Sequence, residues 1–489
     1  GLTRNYRTYC VMLFNSLEFA LFLPIVYAIY WACKRNLKLQ NFIILISSYV
    51  FYGWWDWRFL GLIMLSTLLD YFIGKRLDDT EIRSQRKLLL YSSLAFNLGI
   101  LAYFKYFNFF IESFSSAFTL FGSQIEVDRL SIVLPVGISF YTFQTLSYSI
   151  DIYQRKIKHT NNFIAFSAFV AFFPQLVAGP IERASHLLPQ FKNKRKFLYG
   201  IGADGLRQIL WGLFKKIVIA DRCAIIANDV FANYADYNAS TLIIGAVAFS
   251  FQIYGDFSGY SDIAIGTSKL FGFNLMTNFK TPYFSRNIAE FWNRWHISLS
   301  TWFRDYVYIP LGGSRMGVNK TILNVLIVFT ISGFWHGANW TFIVWGLVNG
   351  LLFIPLLLVQ KNKKYNRHEA VQAKIPNLKL GIQILSTFCL TTLLWIIFRS
   401  DNIAHAFNYI TSIFDPSLFA RPIWITETLI VGFWIMFMLV IEWINKNEEH
   451  EFSIATYRPV TRRLLYLILV SSIFFFGQFD SNSFIYFQF

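Results

Sequence analysis

The stretch EFWNRWHISLSTWF, from Glu290 to Phe303, and the stretch SGFWHGANW, from Ser332 to Trp340, say most about how this chain folds. Each places one histidine, His296 or His336, in aromatic and largely uncharged sequence, and the whole chain has only 7 histidines. An ionisable side chain at membrane depth is costly and usually serves function. A neutral imidazole is also the usual proton acceptor for activating a hydroxyl near neutral pH. Both histidines are therefore candidate catalytic residues.

The composition indicates an integral membrane protein. The chain has 489 residues, of which 55% are hydrophobic, 19% are aromatic and only 15% are charged, and its mean hydropathy is +0.43. A soluble protein carries about 25% charged residues, whereas a membrane protein uses aromatic residues in the lipid-facing layer and at both interfaces. We predict an all-α polytopic membrane protein with a single domain over residues 1–489.

The net charge of +16 could suggest a nucleic-acid-binding protein, but its distribution argues against one. Lys and Arg form short clusters between apolar runs, as the positive-inside rule expects of cytoplasmic loops, where they can also contact anionic membrane lipid. The first two clusters place the N-terminus outside, because residues 54–57 between the second and third apolar runs carry no such cluster. The clusters lie at residues 33–38, 75–87, 155–158, 192–196, 361–364 and 458–463.

Apolar runs of about 20 residues predict roughly eleven to thirteen transmembrane or re-entrant helices. Residues 279–313 mix apolar, aromatic and charged residues and predict interfacial or re-entrant helices, and residues 361–379 predict a linker. We expect residues 1–11 to lie upstream of a start at Met12, and the first apolar run to be retained. The candidate spans are 15–33, 41–56, 58–74, 88–104, 131–150, 163–179, 205–228, 241–266, 321–335, 340–360, 380–399, 427–445 and 463–477.

The surroundings of the two histidines supply candidate substrate-binding residues. Gly333 and Gly337 bracket His336 and allow close approach of a neighbouring helix or of a long substrate. Arg304 and Asp305 are adjacent, so we do not expect them to pair on one helix face, and either could hold a partner elsewhere or a substrate phosphate. The alternatives are a histidine that only packs a helix bundle and an interfacial helix with snorkelling arginines. The candidates around the histidines are Asn293, Arg294, Trp295, Arg304, Asp305, Trp335 and Asn339.

Two further segments place polar residues in apolar sequence. In YGDFSGYSDIAIG, residues 254–266, the carboxylates Asp256 and Asp262 are costly unless paired. They could bind a cation, relay protons or brace a bundle, and Asp256 and Tyr260 join the substrate-binding candidates. In FFPQLVAGPIER, residues 172–183, two prolines and a glycine predict a broken helix.

Several familiar catalytic signatures are absent from the sequence. It has no GxxxxGK[ST] phosphate loop, no GxSxG nucleophile elbow and no HExxH pair, and its 4 cysteines lack zinc-site spacing. We therefore expect no metal and no bound cofactor, and we predict acid–base chemistry by histidine.

At these residues the chain resembles the membrane-bound O-acyltransferase (MBOAT) family, and it is most similar to the alginate O-acetyltransferase branch. The resemblance runs through nearly the whole chain and is carried by long, specific stretches. They are FNS (residues 14–16), SYVFYGWW (48–55), YFKYFNFF (103–110), LPVGISFYTFQTLSYSIDIYQRK (134–156), FFPQLVAGPIER, YGDFSGYSDIAIG, EFWNRWHISLSTWFRDYVYIPLGG (290–313) and GFWHGANWTFIVWG (333–346).

The resemblance implies a funnel of tilted helices around a tunnel that crosses the bacterial cytoplasmic (inner) membrane. It implies that His336, in the WHG motif, is the catalytic histidine, and that His296 is its upstream polar partner. The implied donor is acetyl-CoA, and the implied partner is an extracytoplasmic SGNH-hydrolase-like protein that O-acetylates a polysaccharide or cell-wall glycan.

Other functions fit part of the sequence. Within the family, the enzyme could transfer D-alanine from an acidic carrier protein to teichoic acid, or acylate a lipid or a secreted protein. Outside the family, a proton-coupled transporter could use the buried His and Asp residues as relays. Transporters usually show internal repeats, and we find none in the sequence.

Overall fold

A computed structural model describes residues 12–119, 130–177, 179–359, 376–479 and 485. The predictions for residues 1–11 and for most of the linker 361–379 lie outside the described residues.

The described part of the chain is helical and contains no strand. Three π-helical turns interrupt the α-helices, at Ala102–Tyr106, Phe214–Ala220 and Arg304–Tyr308. The α-helices are α1 (Leu17–Ala32), α2 (Leu37–Asp56), α3 (Leu60–Asp79), α4 (Arg83–Leu101), α5 (Phe107–Thr119), α6 (Ile138–Tyr153), α7 (Phe163–Val170), α8 (Phe173–Leu176), α9 (Ala184–Lys192), α10 (Tyr199–Leu213), α11 (Asp221–Ala232), α12 (Ala239–Leu270), α13 (Ile288–Arg294), α14 (Ile297–Phe303), α15 (Val318–His336), α16 (Trp340–Leu358), α17 (Leu378–Arg399), α18 (Ile403–Ser412), α19 (Ile425–Asn445) and α20 (Pro459–Phe476).

The prediction of an all-α polytopic membrane protein is confirmed. Among the described residues, 8 helical segments are long and apolar enough to cross a membrane, and α1 and the pair α7–α8 are shorter apolar helices. The predicted span 163–179 is broken as expected, because α7 ends at Val170 and α8 begins at Phe173 with Pro174 in its first turn. The eight segments are Leu37–Asp79, Arg83–Thr119, Ala239–Leu270, Val318–His336, Trp340–Leu358, Leu378–Arg399, Ile425–Asn445 and Pro459–Phe476.

The chain forms two compact units. The first comprises Gly1–Gly205 with Thr267–Met276, and the second comprises Leu206–Gly266 with Thr277–Phe489. Each unit is braced by buried polar contacts of its own.

In the first unit, one buried carboxylate ties three helices together. Asp70 on α3 accepts hydrogen bonds from Ser93 Oγ (2.5 Å) and Asn97 Nδ2 (2.8 Å) on α4 and from Ser149 Oγ (3.0 Å) on α6. Three donors to one carboxylate satisfy a group that would otherwise be costly to bury. This centre is therefore a structural brace.

A second carboxylate in the same unit fixes the segment after α12. Glu182 is fully buried, accepts a hydrogen bond from the Met276 backbone N–H (2.6 Å) and contacts His186 Nδ1 (2.7 Å). The His186 side chain is 38% exposed, and its hydrogen bond to Glu182 is the main cause that raises its pKa.

In the second unit, the long helix α12 is held by two lysines of the π-helical turn that follows α10. Lys216 Nζ lies 2.8 Å from both Asp256 and Asp221, and Lys215 Nζ lies 2.5 Å from Asp262. All five side chains are less than 10% exposed. The predicted span 205–228 therefore contains two buried cations that neutralise the aspartates of α12.

Candidate active site

His296 occupies a sharp turn between two short helices. The helix α13 ends at Arg294, and α14 begins at Ile297. His296 adopts a left-handed conformation, with φ +45° and ψ +53°, which residues other than glycine rarely adopt. The turn is held in place because the Ile297 N–H donates to the Asn278 carbonyl oxygen (2.9 Å). Strained backbone of this kind persists where the surroundings fix it, often at functional sites.

His336 is the last residue of α15, and glycines bring α15 close to α16 there. A Cβ atom on Gly333 would lie 2.2 Å from the Phe342 carbonyl oxygen, and one on Gly337 would lie 2.2 Å from the Phe342 ring. The predicted close approach of a neighbouring helix is thus confirmed. Larger residues at either glycine would displace the end of α15 that carries His336.

The structure brings the two histidines together inside a cluster of aromatic side chains. Their ring centroids lie 6.5 Å apart, and His296 and His336 are only 1% and 3% exposed. Burial, and then the charge that His336 would carry, hold the pKa of His296 well below its ordinary value. His296 is therefore neutral at physiological pH. The aromatic rings around the pair are those of Phe257, Phe279, Trp335, Trp345 and Phe398.

Sequence reasoning missed Asn278, which contacts His296 directly. Asn278 Oδ1 lies 3.0 Å from His296 Nδ1 and accepts hydrogen bonds from the Ser298 hydroxyl (2.8 Å) and, weakly, from the Ser298 backbone N–H (3.4 Å). Its Nδ2 donates to Ser261 Oγ on α12 (3.1 Å). His296 Nε2 is buried and has no hydrogen-bond partner among the described residues. No local motif distinguishes Asn278 from the other asparagines, so the sequence offered no signal.

Several predicted substrate-binding residues are occupied by structural contacts. Arg294 is 6% exposed and donates to Glu290 Oε1 (2.7 Å), so the alternative of a snorkelling arginine is wrong at this position. Asn339 caps α16 by accepting the Thr341 N–H (3.0 Å). Trp295 is buried and lies 5.0 Å from Trp395, centroid to centroid, while Asn293 is only partly buried on α13. Trp335 is the candidate that touches both histidine rings.

The expectation that Arg304 and Asp305 do not pair on one helix face is wrong. Arg304 Nε donates to Asp305 Oδ1 at 2.7 Å. The long arginine side chain can curl back to its neighbour because the pair lies at the surface, where the Arg304 side chain is 58% exposed. An exposed pair of this kind contributes little to stability.

Asp256 and Tyr260 belong to the buried lysine network. Asp256 is paired with Lys216, and Lys216 Nζ lies 5.5 Å from the centroid of the Tyr260 ring. These contacts favour the bracing role over the substrate-binding role. Among the described residues, no three His, Cys, Asp or Glu side chains come together so as to hold a metal ion.

The fold and the site together define a multi-pass membrane protein with two buried histidines side by side, of which His296 is neutral. Residues 58–366 match the membrane-bound O-acyltransferase family, MBOAT. The chain belongs to this family and is an O-acyltransferase.

Similar proteins support this assignment along the chain. A probable alginate O-acetylase of Pseudomonas putida is 36% identical over an alignment that covers 98% of this chain and 100% of that protein. A peptidoglycan O-acetyltransferase of Helicobacter pylori is 35% identical, over 81% of this chain and 78% of that protein. A teichoic acid D-alanyltransferase of Streptococcus thermophilus is 31% identical, over 60% of this chain and 76% of that protein.

Proposed function

We propose that the chain moves an acetyl group from cytoplasmic acetyl-CoA across the bacterial cytoplasmic membrane for O-acetylation of an extracytoplasmic polysaccharide or cell-wall glycan. An SGNH-hydrolase-like partner on the outer side would complete the transfer to the glycan. The observation that carries the proposal is the pair of buried imidazoles, His296 and His336, whose ring centroids are 6.5 Å apart. The alginate and peptidoglycan O-acetyltransferases among the relatives support the choice of acetyl group and glycan.

In the proposed step, neutral His336 accepts the proton of the acceptor hydroxyl while the oxygen forms a bond to the thioester carbonyl carbon. The carbon–sulfur bond then breaks, and the proton passes from His336 to the departing thiolate, which leaves as the CoA thiol. His296 holds the acceptor or the thioester carbonyl, or tunes His336. The aromatic side chains around the histidines support this chemistry because they bury both rings away from water.

A distinct set of residues would receive the donor. CoA carries several phosphates, and the basic clusters that we place in cytoplasmic loops would steer it by charge. The same clusters would also suit an acidic D-alanyl carrier protein, so the donor must be tested directly. The O-acetyltransferase relatives cover more of this chain than the D-alanyltransferase does, which favours acetyl-CoA.

The test is acyl transfer by the purified protein in nanodiscs, with radiolabelled acetyl-CoA, the candidate partner and a glycan acceptor. We expect His336→Ala to lose the roughly 10²–10⁴-fold that a general base contributes, with an unchanged melting temperature. His405→Gln is the matched control, because His405 lies on α18 and stacks on Tyr234. Turnover that survives His336→Ala would refute the mechanism. Transfer from a D-alanyl carrier protein, with none from acetyl-CoA, would replace the proposed donor.

A further inference from the structure

We propose that Asn278 is a positioning residue for acyl transfer: its side-chain oxygen holds the proton of His296 on Nδ1 and leaves Nε2 as a hydrogen-bond acceptor. The inference rests on the proposed function for its catalytic meaning. The hydrogen-bond geometry on which it is built does not depend on the substrate.

The orientation of the Asn278 amide follows from its partners. The backbone N–H of Ser298 can only donate a hydrogen bond, and it faces the Asn278 side chain at 3.4 Å. The atom that faces it must therefore be the oxygen, Oδ1. The amide nitrogen, Nδ2, then points to Ser261 Oγ at 3.1 Å, where a hydroxyl can accept. Asn278 and Ser298 are fully buried, so water does not offer either group an alternative partner.

This orientation decides where the proton of His296 lies. An amide oxygen has no proton to donate, so the 3.0 Å contact from Asn278 Oδ1 to His296 Nδ1 is a hydrogen bond only when Nδ1 carries the proton. A neutral imidazole has one protonated nitrogen, which makes Nε2 the lone-pair nitrogen. Nε2 is buried without a hydrogen-bond partner among the described residues, so its lone pair is available to a donor.

The assignment narrows the role of His296. A lone pair on Nε2 cannot donate a hydrogen bond to the thioester carbonyl, so neutral His296 is not an oxyanion-stabilising donor. It can receive a hydrogen bond from an N–H of His336, and the centroid separation of 6.5 Å leaves room for one bridging oxygen atom. If His336 directs its N–H to His296, its other ring nitrogen is the one that accepts the proton of the acceptor hydroxyl. Asn278 would thus set the direction of proton transfer through His296.

The bland alternative is that Asn278 only stabilises the start of α14 through Ser298. The two roles differ in what they predict for the proton of His296. Nitrogen NMR of protein labelled at its 7 histidines distinguishes protonated from unprotonated ring nitrogens, and His296→Gln assigns the signal. The measurement is made at about pH 8, above the ordinary imidazole pKa of about 6.5.

We expect wild-type His296 to be protonated on Nδ1 alone. Asn278→Leu, which has a similar volume and no acceptor, should abolish that preference, whereas Asn278→Asp, which keeps the acceptor, should retain it. Ser261→Ala is the matched control, because it removes the partner of Nδ2 and leaves the contact with His296 intact. A wild-type spectrum with the proton on Nε2 would overturn the proposal without any variant having to fold.

Acyl transfer is then measured on the same samples. We expect Asn278→Leu to lower kcat at least about tenfold, but by no more than the roughly 10²–10⁴-fold that a general base contributes. KM should be nearly unchanged, and Asn278→Asp should restore most of kcat. An unchanged kcat in Asn278→Leu would overturn the catalytic meaning of the contact. A wild-type protein without acyl transfer, but with the expected spectrum, would overturn the proposed function and support the tautomer assignment.

Discussion

The buried lysine network provides the largest stability effect that the structure predicts. Lys216 Nζ lies 2.8 Å from both Asp221 and Asp256, and the three side chains are only 1%, 3% and 4% exposed. Removing one partner of a buried ion pair costs about 3–5 kcal/mol, because the remaining charge is left unpaired. Lys216→Met strands two carboxylates at once, so we expect a loss at the upper end of that range. The free energy of unfolding of a native protein is only about 5–15 kcal/mol, so this loss is a large part of it.

The assay is thermal unfolding in detergent at one scan rate, since membrane proteins often unfold irreversibly. The matched control is Arg155→Met, which breaks an exposed pair with Glu81 and should leave the melting temperature nearly unchanged. Adding Asp221→Asn and Asp256→Asn to Lys216→Met should recover part of the loss, because no stranded charge remains. A Lys216→Met protein with the same melting temperature as Arg155→Met would refute the reasoning.

Three further perturbations probe pH dependence and helix packing. Burial and the charge of His336 lower the pKa of His296, so the stabilising contribution of His296 is complete above about pH 6.5 and declines at lower pH. His296→Gln should therefore flatten the fall of the melting temperature at acidic pH, and a variant with the same fall as the wild type would contradict the assignment. The hydrogen bond to Glu182 is the main cause that raises the pKa of His186, so the contribution of His186 to stability is present below about pH 6.5 and is lost as the pH rises through the raised pKa. His186→Gln should lower the melting temperature more at acidic than at alkaline pH, and an equal lowering at every pH would argue against the ion pair. Gly346→Ala places a Cβ 2.3 Å from a backbone oxygen and should lower the stability by about 1–3 kcal/mol. In the control Gly432→Ala the new Cβ has no atom within 4 Å, so this variant should be neutral or more stable. Equal melting temperatures of the two variants would contradict the close packing of α15 and α16.

The sequence predicted the helices well where hydropathy alone determines them. The predicted spans 340–360 and 380–399 correspond to Trp340–Leu358 and Leu378–Arg399, with boundaries that differ by two residues at most. An uninterrupted apolar run of about 20 residues is enough to predict a membrane-spanning helix, whatever the sequence on either side of it. The two histidines were likewise visible as candidates, because an ionisable residue in an aromatic run stands out locally.

Local sequence patterns did not predict contacts between residues that are far apart in the sequence. Asp256 was recognised as a buried carboxylate, but its partner Lys216 lies in an earlier segment that was predicted only as an apolar span. Asn278 precedes His296 by 18 residues, in a loop with no periodicity. For Arg304 and Asp305 the sequence predicted that no pair forms on one helix face, and the structure shows one. The prediction used a rule for the faces of regular α-helices, whereas the chain forms a π-helical turn there.

The geometry of α12 keeps the buried charges of the lysine network apart from His296. Asp256 and Phe257 are adjacent on this helix, and successive residues of an α-helix point about 100° apart. Asp256 is neutralised by Lys216, while the Phe257 ring lies 4.6 Å from the ring of His296. The charged groups are thus paired on one face of α12, and an aromatic ring faces the imidazole on another. Because the lysine network holds α12 in place, it also holds Phe257 against His296, where burial keeps the pKa of the imidazole low.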